Sequence, residues 1–480
     1  MFVRMVLWCC VWMLLPCWAK CQQLRNAAAL PDSCISPNLP DGSIDTSRTT
    51  IRSISVSGNK VTKEPIVFRE VVLASGQTYH NADLEKRIRQ TREQLMNTAL
   101  FVTVDVQKVP AGNGFIDINI AVSERWYLFP LPYFKVVDRN WNVWVNEYKA
   151  SLDRTLFGVK IAHNNTTGRN DKMNVWIIGG YTQQVEFKYQ LPYVDKKMEK
   201  GFTVGMSYGR NREINYATDS NKQQFLSLSK FGRDYIKAEA TFSYRKGSQR
   251  RFYLRSVFGW EKIDTAFFNL NPKYLNGRLS ATYLDVMANY QYFNVDYIPF
   301  PLRGWMIDVY ATHRFSKALG MTQIGGRALA TWEFLPKTYI NFQSVVALST
   351  PRNQPYYNTR MMGYGSMYMQ GLEYNVVDGT FGVMGRTTLR KKLFTATFKG
   401  PEKWKTYSRI PFTFYLKGYG NLGYVYHENP GKTNFMNNRL LRTAGMGLEI
   451  ATIYDAVLKL EYSFNQFGQS GFFLHTAADF

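Results

Sequence analysis

Cysteine runs out early in this chain. Of its 480 residues none after Cys34 is a cysteine, so the body of the protein holds no disulfide, and only Cys21 and Cys34 are left to form one small bridge near the start. Long apolar runs are missing too. Beyond the N-terminal segment nothing approaches the roughly 20 apolar residues that a membrane-spanning helix needs. Histidine is sparse: His80, His163, His313, His427 and His475 are scattered without metal-ligand spacing. There is no Gly-x-Ser-x-Gly elbow, and the glycines at 363 and 365 lie in a loop, without the strand and helix that a phosphate cradle requires. These absences argue against an enzyme and against any metal or organic cofactor. Acidic residues are outnumbered, 36 against 59 basic, for a formal charge of +23. The basic residues are spread along the chain without a cluster or a nucleic-acid motif, so they fit a lumen, loops and lipid headgroup rims better than nucleic acid.

What is abundant is aromatic and alternating. Phe and Tyr number 32 and 31, and the hydrophobic fraction is 45%. The chain opens with Arg4, an apolar run over 5–15, and then Pro16, Cys17, Trp18 and Ala19, the order of a cleaved secretory signal. We expect a signal over 1–20, with cleavage near Ala19 to Cys21. Pro16 and Lys20 are poor neighbours for a lipidated cysteine. The segment 21–50, with Pro31, Pro37 and Pro40, reads as a linker.

Residues 51–124 form a separate module. Ile51, Ile54 and Val56 alternate with polar residues and lead into Gly58-Asn59, a strand and a turn. A helix capped by Thr62 follows, with Ile66, Val67, Glu70 and Val71 continuing it. A second helix starts at Asn81 or Asp83, with Leu84, Ile88, Leu95 and Met96 on its apolar side. Strands over 101–109 and 115–122 complete the order β-α-α-β-β.

The remainder, 125–480, has a period of two. Phe202, Val204, Met206 and Tyr208 alternate with Thr203, Gly205 and Ser207, and Leu458, Leu460, Tyr462 and Phe464 with Lys459, Glu461 and Ser463. Charges on one face of an apolar strand do not suit a dry sandwich core. They suit a wet lumen whose wall faces lipid on the other side. The expected fold class is therefore an all-β transmembrane barrel of about 16 antiparallel strands, preceded by one βααββ αβ domain. The strand centres fall near 159, 176, 188, 205, 225, 239, 256, 286, 308, 329, 344, 387, 418, 445, 459 and 476, and an even antiparallel number closes without edges.

Two stretches, ISVSGNKVTKEPIVFREV over 54–71 and LMNTALFVTVDV over 95–106, resemble a POTRA domain, the polypeptide-transport-associated module of the BamA/TamA superfamily. Gly58, Asn59, Asn97, Leu100 and Phe101 carry that signature. The barrel region resembles the same superfamily through 156–194, FPLRGW over 300–305, GLEYNVVDG over 371–379 and NLGYVY over 421–426. The likeness covers most of 51–480, in a form with a single POTRA domain. The closing strand, with Gly471, Phe472, Leu474 and the terminal Phe480, is similar to the β-signal read by outer-membrane assembly machinery.

The resemblance implies a bacterial outer-membrane barrel with the POTRA-like domain in the periplasm. It implies a factor that receives unfolded outer-membrane proteins by pairing with their strands and inserts them through a weak seam between the first barrel strand, 156–164, and the last, 471–480. Outer-membrane lipids are implied partners, with room for accessory lipoproteins and none for nucleic acid. The alternatives are a dedicated secretion pore of the two-partner type and a specialised paralogue with few clients; a passive porin fits the extra module less well. In the family the lumen loop carries Arg-Gly-Phe or Arg-Gly-Tyr, paired with an aspartate on a later strand. Here Gln370, Gly371 and Leu372 occupy the loop motif, and Asn421, followed by Gly423, replaces the aspartate. We expect the loop to dock through Gln370 and Asn421, more weakly than a charged pair would hold it.

Overall fold

A computed structural model describes residues 48–112, 114–136, 149, 152, 155–365, 367–399, 409–452 and 457–475. The proposed signal, the linker up to residue 47 and Phe480 lie outside the described residues; 48–50, expected as the end of the linker, are instead the start of the first strand.

The first module comprises β1 (Arg48–Ser57), α1 (Glu64–Phe68), β2 (Thr78–His80), α2 (Asn81–Asn97), β3 (Phe101–Gly112) and β4 (Phe115–Glu124). Its sheet runs β2-β1-β4-β3, with β1 parallel to β4 and the outer pairs antiparallel. A bulge between Ile51 and Ser53 shifts the phase of β1, which explains why Ile51 and Ile54 are three residues apart. Leu84, Thr91 and Leu95 recur at helical spacing and are buried. They pack with Ile51, Leu100, Phe101, Ile118 and Ile120 into one core. Thr62 is not a helix cap: α1 starts at Glu64 after Lys63, with Pro65 in its first turn, and Thr62 bonds elsewhere.

The barrel wall begins with β5 (Leu128–Val136), β6 (Thr155–Asn164), β7 (Lys172–Gly180), β8 (Thr182–Leu191) and β9 (Lys200–Asn211). A hairpin, β10 (Glu213–Asp219) and β11 (Lys222–Ser227), then leaves the wall. The wall resumes with β12 (Arg233–Tyr244) and β13 (Arg250–Ile263), and after α3 (Thr265–Leu270) continues with β14 (Ser280–Val295), β15 (Gly304–Phe315), β16 (Met321–Leu335) and β17 (Thr338–Thr350). A long loop over 351–380 holds the short pair β18 (Arg360–Met362) and β19 (Val377–Asp378). The wall ends with β20 (Phe381–Lys399), β21 (Arg409–Tyr426), β22 (Leu441–Ala451), β23 (Val457–Asn465) and β24 (Ser470–His475). Sixteen strands pair antiparallel in this order, from β5 to β24.

The expected number is met, but two strands differ. The run centred near 225 belongs to the β10–β11 hairpin, and the first wall strand is β5 rather than 156–164. Pro130 and Pro132 conceal β5 in the sequence, because proline inside a strand is tolerated only where no ladder bond is needed.

Exposure follows the inverse of a soluble protein. On β23 Leu460 and Phe464 are 45% and 47% exposed, while Glu461 and Ser463 are 1% and 0%. On β9 Phe202, Val204, Met206 and Tyr208 all face outward. Such a wall is stable only with hydrocarbon outside it. Among the described residues no helix is long and apolar enough to cross a membrane.

Candidate functional site

The loop over 351–380 turns back into the barrel and is fastened to the wall formed by β20–β24. Gln370 is buried, and its Nε2 donates to Glu461 Oε1 at 2.8 Å. Asn421 Nδ2 donates to the Gln370 main-chain carbonyl at 3.3 Å and to Thr443 Oγ1 at 2.9 Å. The structure thus brings Gln370 and Asn421 together, through the Gln370 backbone rather than through both amides. Gly371 N–H donates to Glu373 at 2.9 Å, and its carbonyl accepts from Asn465 Nδ2 at 2.8 Å. Gly371 has φ +90°, and a Cβ there would lie 3.0 Å from Thr443 Cβ, so both conformation and space favour glycine.

Around this anchor lies a buried set of charges. Lys417 bridges Glu461 and Glu449, the latter at 3.1 Å, and Arg390 Nε donates to Glu449 at 2.6 Å. His475 Nδ1 lies 2.9 Å from Glu461 Oε2, and its Nε2 meets the Tyr368 hydroxyl. Tyr368 in turn donates to Glu373 at 3.1 Å, and its carbonyl accepts from Arg386 at 2.7 Å. His475 therefore links the last strand, the neighbouring strand and the loop. The inward charges of β21–β23 were expected to face water. On this wall they face one another and the loop, because the loop fills the space and only pairing makes such burial tolerable.

Leu372 lies in an apolar cluster rich in methionine, with Met361, Met362, Met367, Met369, Met384 and Met436. Gly423 gives this cluster its room: a Cβ there would stand 2.8 Å from Met362 Cε and 2.9 Å from Met369 Sδ. At the rim opposite the first module the β10–β11 tip closes over the loop. Asn221 is fully buried, donating to the Val376 carbonyl at 3.2 Å and accepting from the Val376 and Met436 amides at 2.8 and 2.9 Å. Asn434 Nδ2 donates to the Thr218 carbonyl at 3.1 Å, joining a third loop.

The first module is clamped to the other rim. Glu124 at the end of β4 accepts from the backbone amides of Lys60, Val61 and Thr62 at 2.6–3.1 Å. Thr62 Oγ1 is bonded to the buried Tyr127 hydroxyl at 2.9 Å and accepts from Asn165 Nδ2 at 2.9 Å. Burial pushes the Tyr127 phenol up to about 12. Lys63 N–H donates to the Gly168 carbonyl at 2.9 Å. Glu70, 1% exposed, takes Arg69 at 2.8 Å from its own side and Arg245 at 2.9 Å from the β12–β13 turn.

The five signature residues have distinct places here. Gly58 has φ +88°, and a Cβ there would overlap the Val122 carbonyl at 2.0 Å. Asn59 Nδ2 donates to the Thr62 carbonyl at 3.0 Å. Asn97 holds the β14–β15 turn, accepting from Ile298 N–H at 3.1 Å and donating to the Asp296 carbonyl at 3.4 Å. Leu100 and Phe101 are buried, and their carbonyls accept from Tyr127 at 3.1 Å and Arg125 at 2.8 Å. The signature thus serves the core and the join to the barrel, while the edges β2 and β3 each lack one neighbour in the described sheet.

Gly471, Phe472 and Leu474 lie on β24, with Phe472 85% and Leu474 61% exposed. Among the described residues β24 pairs only with β23, and β5 only with β6. Glu461, Lys417, Glu449, Arg390, His475 and Tyr368 were missed as site residues. Alternation alone had marked Glu461 as inward, but nothing local in sequence says that strands 44 residues apart share its charge.

A family model described as "Surface antigen variable number repeat", a POTRA model, matches residues 49–125. Among solved structures, CdiB from Escherichia coli is similar over 90% of this chain and 76% of its own, at 11% identity and TM-score 0.52. BamA from Haemophilus ducreyi lacking POTRA domains 1–3 is similar over 89% and 83%, at 15% identity and TM-score 0.48. No curated protein sequence matches. The class is thus a β-barrel with a lipid-facing wall, preceded by a POTRA domain. The match over 49–125 is to a POTRA domain, and the barrel that follows is similar in fold to that of CdiB.

Proposed function

We propose that the protein inserts unfolded barrel proteins into the outer membrane, receiving them on its POTRA domain and passing them to a seam between β5 and β24. The observation that carries this reading is the state of the wall. Sixteen strands are laddered in sequence order from β5 to β24, so the wall can meet itself nowhere but at its first and last strands. An open strand edge within a bilayer leaves amides and carbonyls without partners, and a client strand can satisfy them. Hydrogen bonding and burial of the client drive the step, so neither nucleotide nor metal is needed. Among the described residues no group of His, Cys, Asp and Glu is arranged to hold a metal.

The interlocked loops support lateral transfer over passage through the lumen. A dedicated secretion pore would have to move the loop over 351–380 together with the Asn221 cap. Passive conduction meets the same obstruction. The test is a covalent lock. Since cysteine is absent after Cys34, a pair placed on β5 and β24 and joined by a short bifunctional crosslinker is specific. The locked protein is expected to stay folded and to lose assembly of barrels; full activity when locked rejects the seam. Depletion followed by measurement of the outer-membrane proteome separates broad insertion from service to one substrate.

A further inference from the structure

A cavity of about 80 Å³ lies between α2 of the first module and the inner face of the wall, where β13, β14 and the β12–β13 turn reach the same rim. Alternation on β13 decides what enters it. Phe252 and Leu254 are 45% and 51% exposed on the outside, so Arg251 turns inward. Its guanidinium lies over the Phe293 ring, 4.6 Å from the centroid, and its Nε is buried with no partner. Arg245 lines the same cavity from the turn. One of its Nη atoms donates to Glu70 at 2.9 Å and the other to the Tyr193 hydroxyl at 2.7 Å, but its Nε too is buried and unpartnered.

Three guanidinium groups are thus gathered around one buried carboxylate, since Glu70 is shared by Arg69 and Arg245 and leaves nothing for Arg251. A buried charge is tolerable only when an opposite charge and hydrogen bonds meet it. The other carboxylate on the cavity wall is Glu93 of α2. Burial and the repulsion of Asp296 raise its carboxyl, which makes it a poor counter-ion. The rest of the lining suits a peptide. Gln90 and Gln94, one turn apart on α2, and Asn294 from β14 present carboxamides that can both donate and accept, and Val295 and Ile298 add an apolar side.

We infer that this cavity is a docking site for the C-terminal carboxylate of an extended polypeptide, held by the Arg251 guanidinium with Arg245 beside it. A planar guanidinium matches a planar carboxylate bidentately. The size argues for a chain end. There is room for a carboxylate and little else, so a carboxylate on a side chain would force the backbone to run on in both directions against α2 and the Phe293 ring. That the polypeptide is a client rests on the assembly reading; the anion site does not.

The test uses the full-length protein in lipid nanodiscs and a fluorescent peptide with the sequence of residues 466–480, a barrel end taken from this chain itself. The peptide is made once with a free C-terminal carboxylate and once as the amide. The acid is expected to bind wild type about tenfold more tightly than the amide, the worth of charge-assisted bonds to one carboxylate. Equal affinity overturns the inference, as does a failure of both peptides to bind. In Arg251→Met, with folding verified by heat-modifiable migration, the preference for the acid is expected to vanish, and a preference that survives overturns the site. Should that variant not fold, Arg251→Lys keeps the charge without the fork and is expected to lose several-fold of the preference; an unchanged preference again overturns the site. If acid and amide bind alike while inorganic phosphate raises the thermal midpoint of wild type and not of Arg251→Met, the cavity takes small free anions and the polypeptide end is rejected. Only binding is read, so failure here and failure of the covalent seam lock are separate results.

Discussion

The Gln370 amide donates to the Glu461 carboxylate at 2.8 Å, deep in the barrel, and that carboxylate also takes Lys417 and His475. The loop motif carries no charge of its own at Gln370, yet the contact is still charge-assisted, because β23 supplies the carboxylate. Glu461→Gln leaves Lys417 with Glu449 alone in a buried setting. Breaking one member of a buried ion network costs about 3–5 kcal/mol, so the urea midpoint of the heat-modifiable folded form is expected to fall sharply. Gln370→Ala removes a single bond to a charged group and is expected to cost about 1.5–3 kcal/mol.

Gly371→Ala is expected to free the loop. The left-handed conformation and the crowding against Thr443 together cost about 1–3 kcal/mol. Protease cleavage within 351–380 in the otherwise folded barrel measures the release.

Arg245→Met tests the clamp on the POTRA domain. Glu70 keeps Arg69 but loses its barrel partner, so cohesion between the domains drops while the core around Ile118 and Leu95 remains. Faster hydrogen exchange in the backbone of 60–70 is expected, with unaltered exchange in β12–β17.

The join also responds to pH. Burial raises the Glu93 carboxyl, with Asp296 adding repulsion, and burial raises the Asp296 carboxyl as well. A carboxyl whose folded value is raised binds its proton more tightly in the native state than in the unfolded chain, so stability falls as pH climbs from the ordinary carboxylate range, about 4, through the raised value. The domain join is therefore expected to be firmer under mildly acidic conditions than at neutral pH. Glu93→Gln should flatten that dependence in hydrogen-exchange profiles of α2 and the β14–β15 turn.

Much of this architecture was legible in the residues. Alternation on β9 and β23 put the correct side chains outward, and of the helix face read as Leu84, Ile88, Leu95 and Met96 the two leucines are buried and the other two pack against the core, whereas the buried Thr91 was not expected there. Two strands misled. The β11 run has the same local pattern as a wall strand and differs only in where its neighbours lie. The β5 run contains prolines that deny strand character everywhere except at an edge. Thr62 had the chemistry of a helix cap, but a buried tyrosine and an asparagine from another domain claim its hydroxyl.

The sequence by itself determined which face of each strand meets hydrocarbon and which residues form the POTRA core, because period and propensity are local properties of the chain. Only the tertiary structure decided that inward charges are paired under a loop instead of bathed in water, that Gln370 turns to Glu461, and that a run with two prolines becomes the first strand of the wall. Those outcomes depend on which distant strands become neighbours and in what register, and register is a property of the paired strands together, not of any one strand.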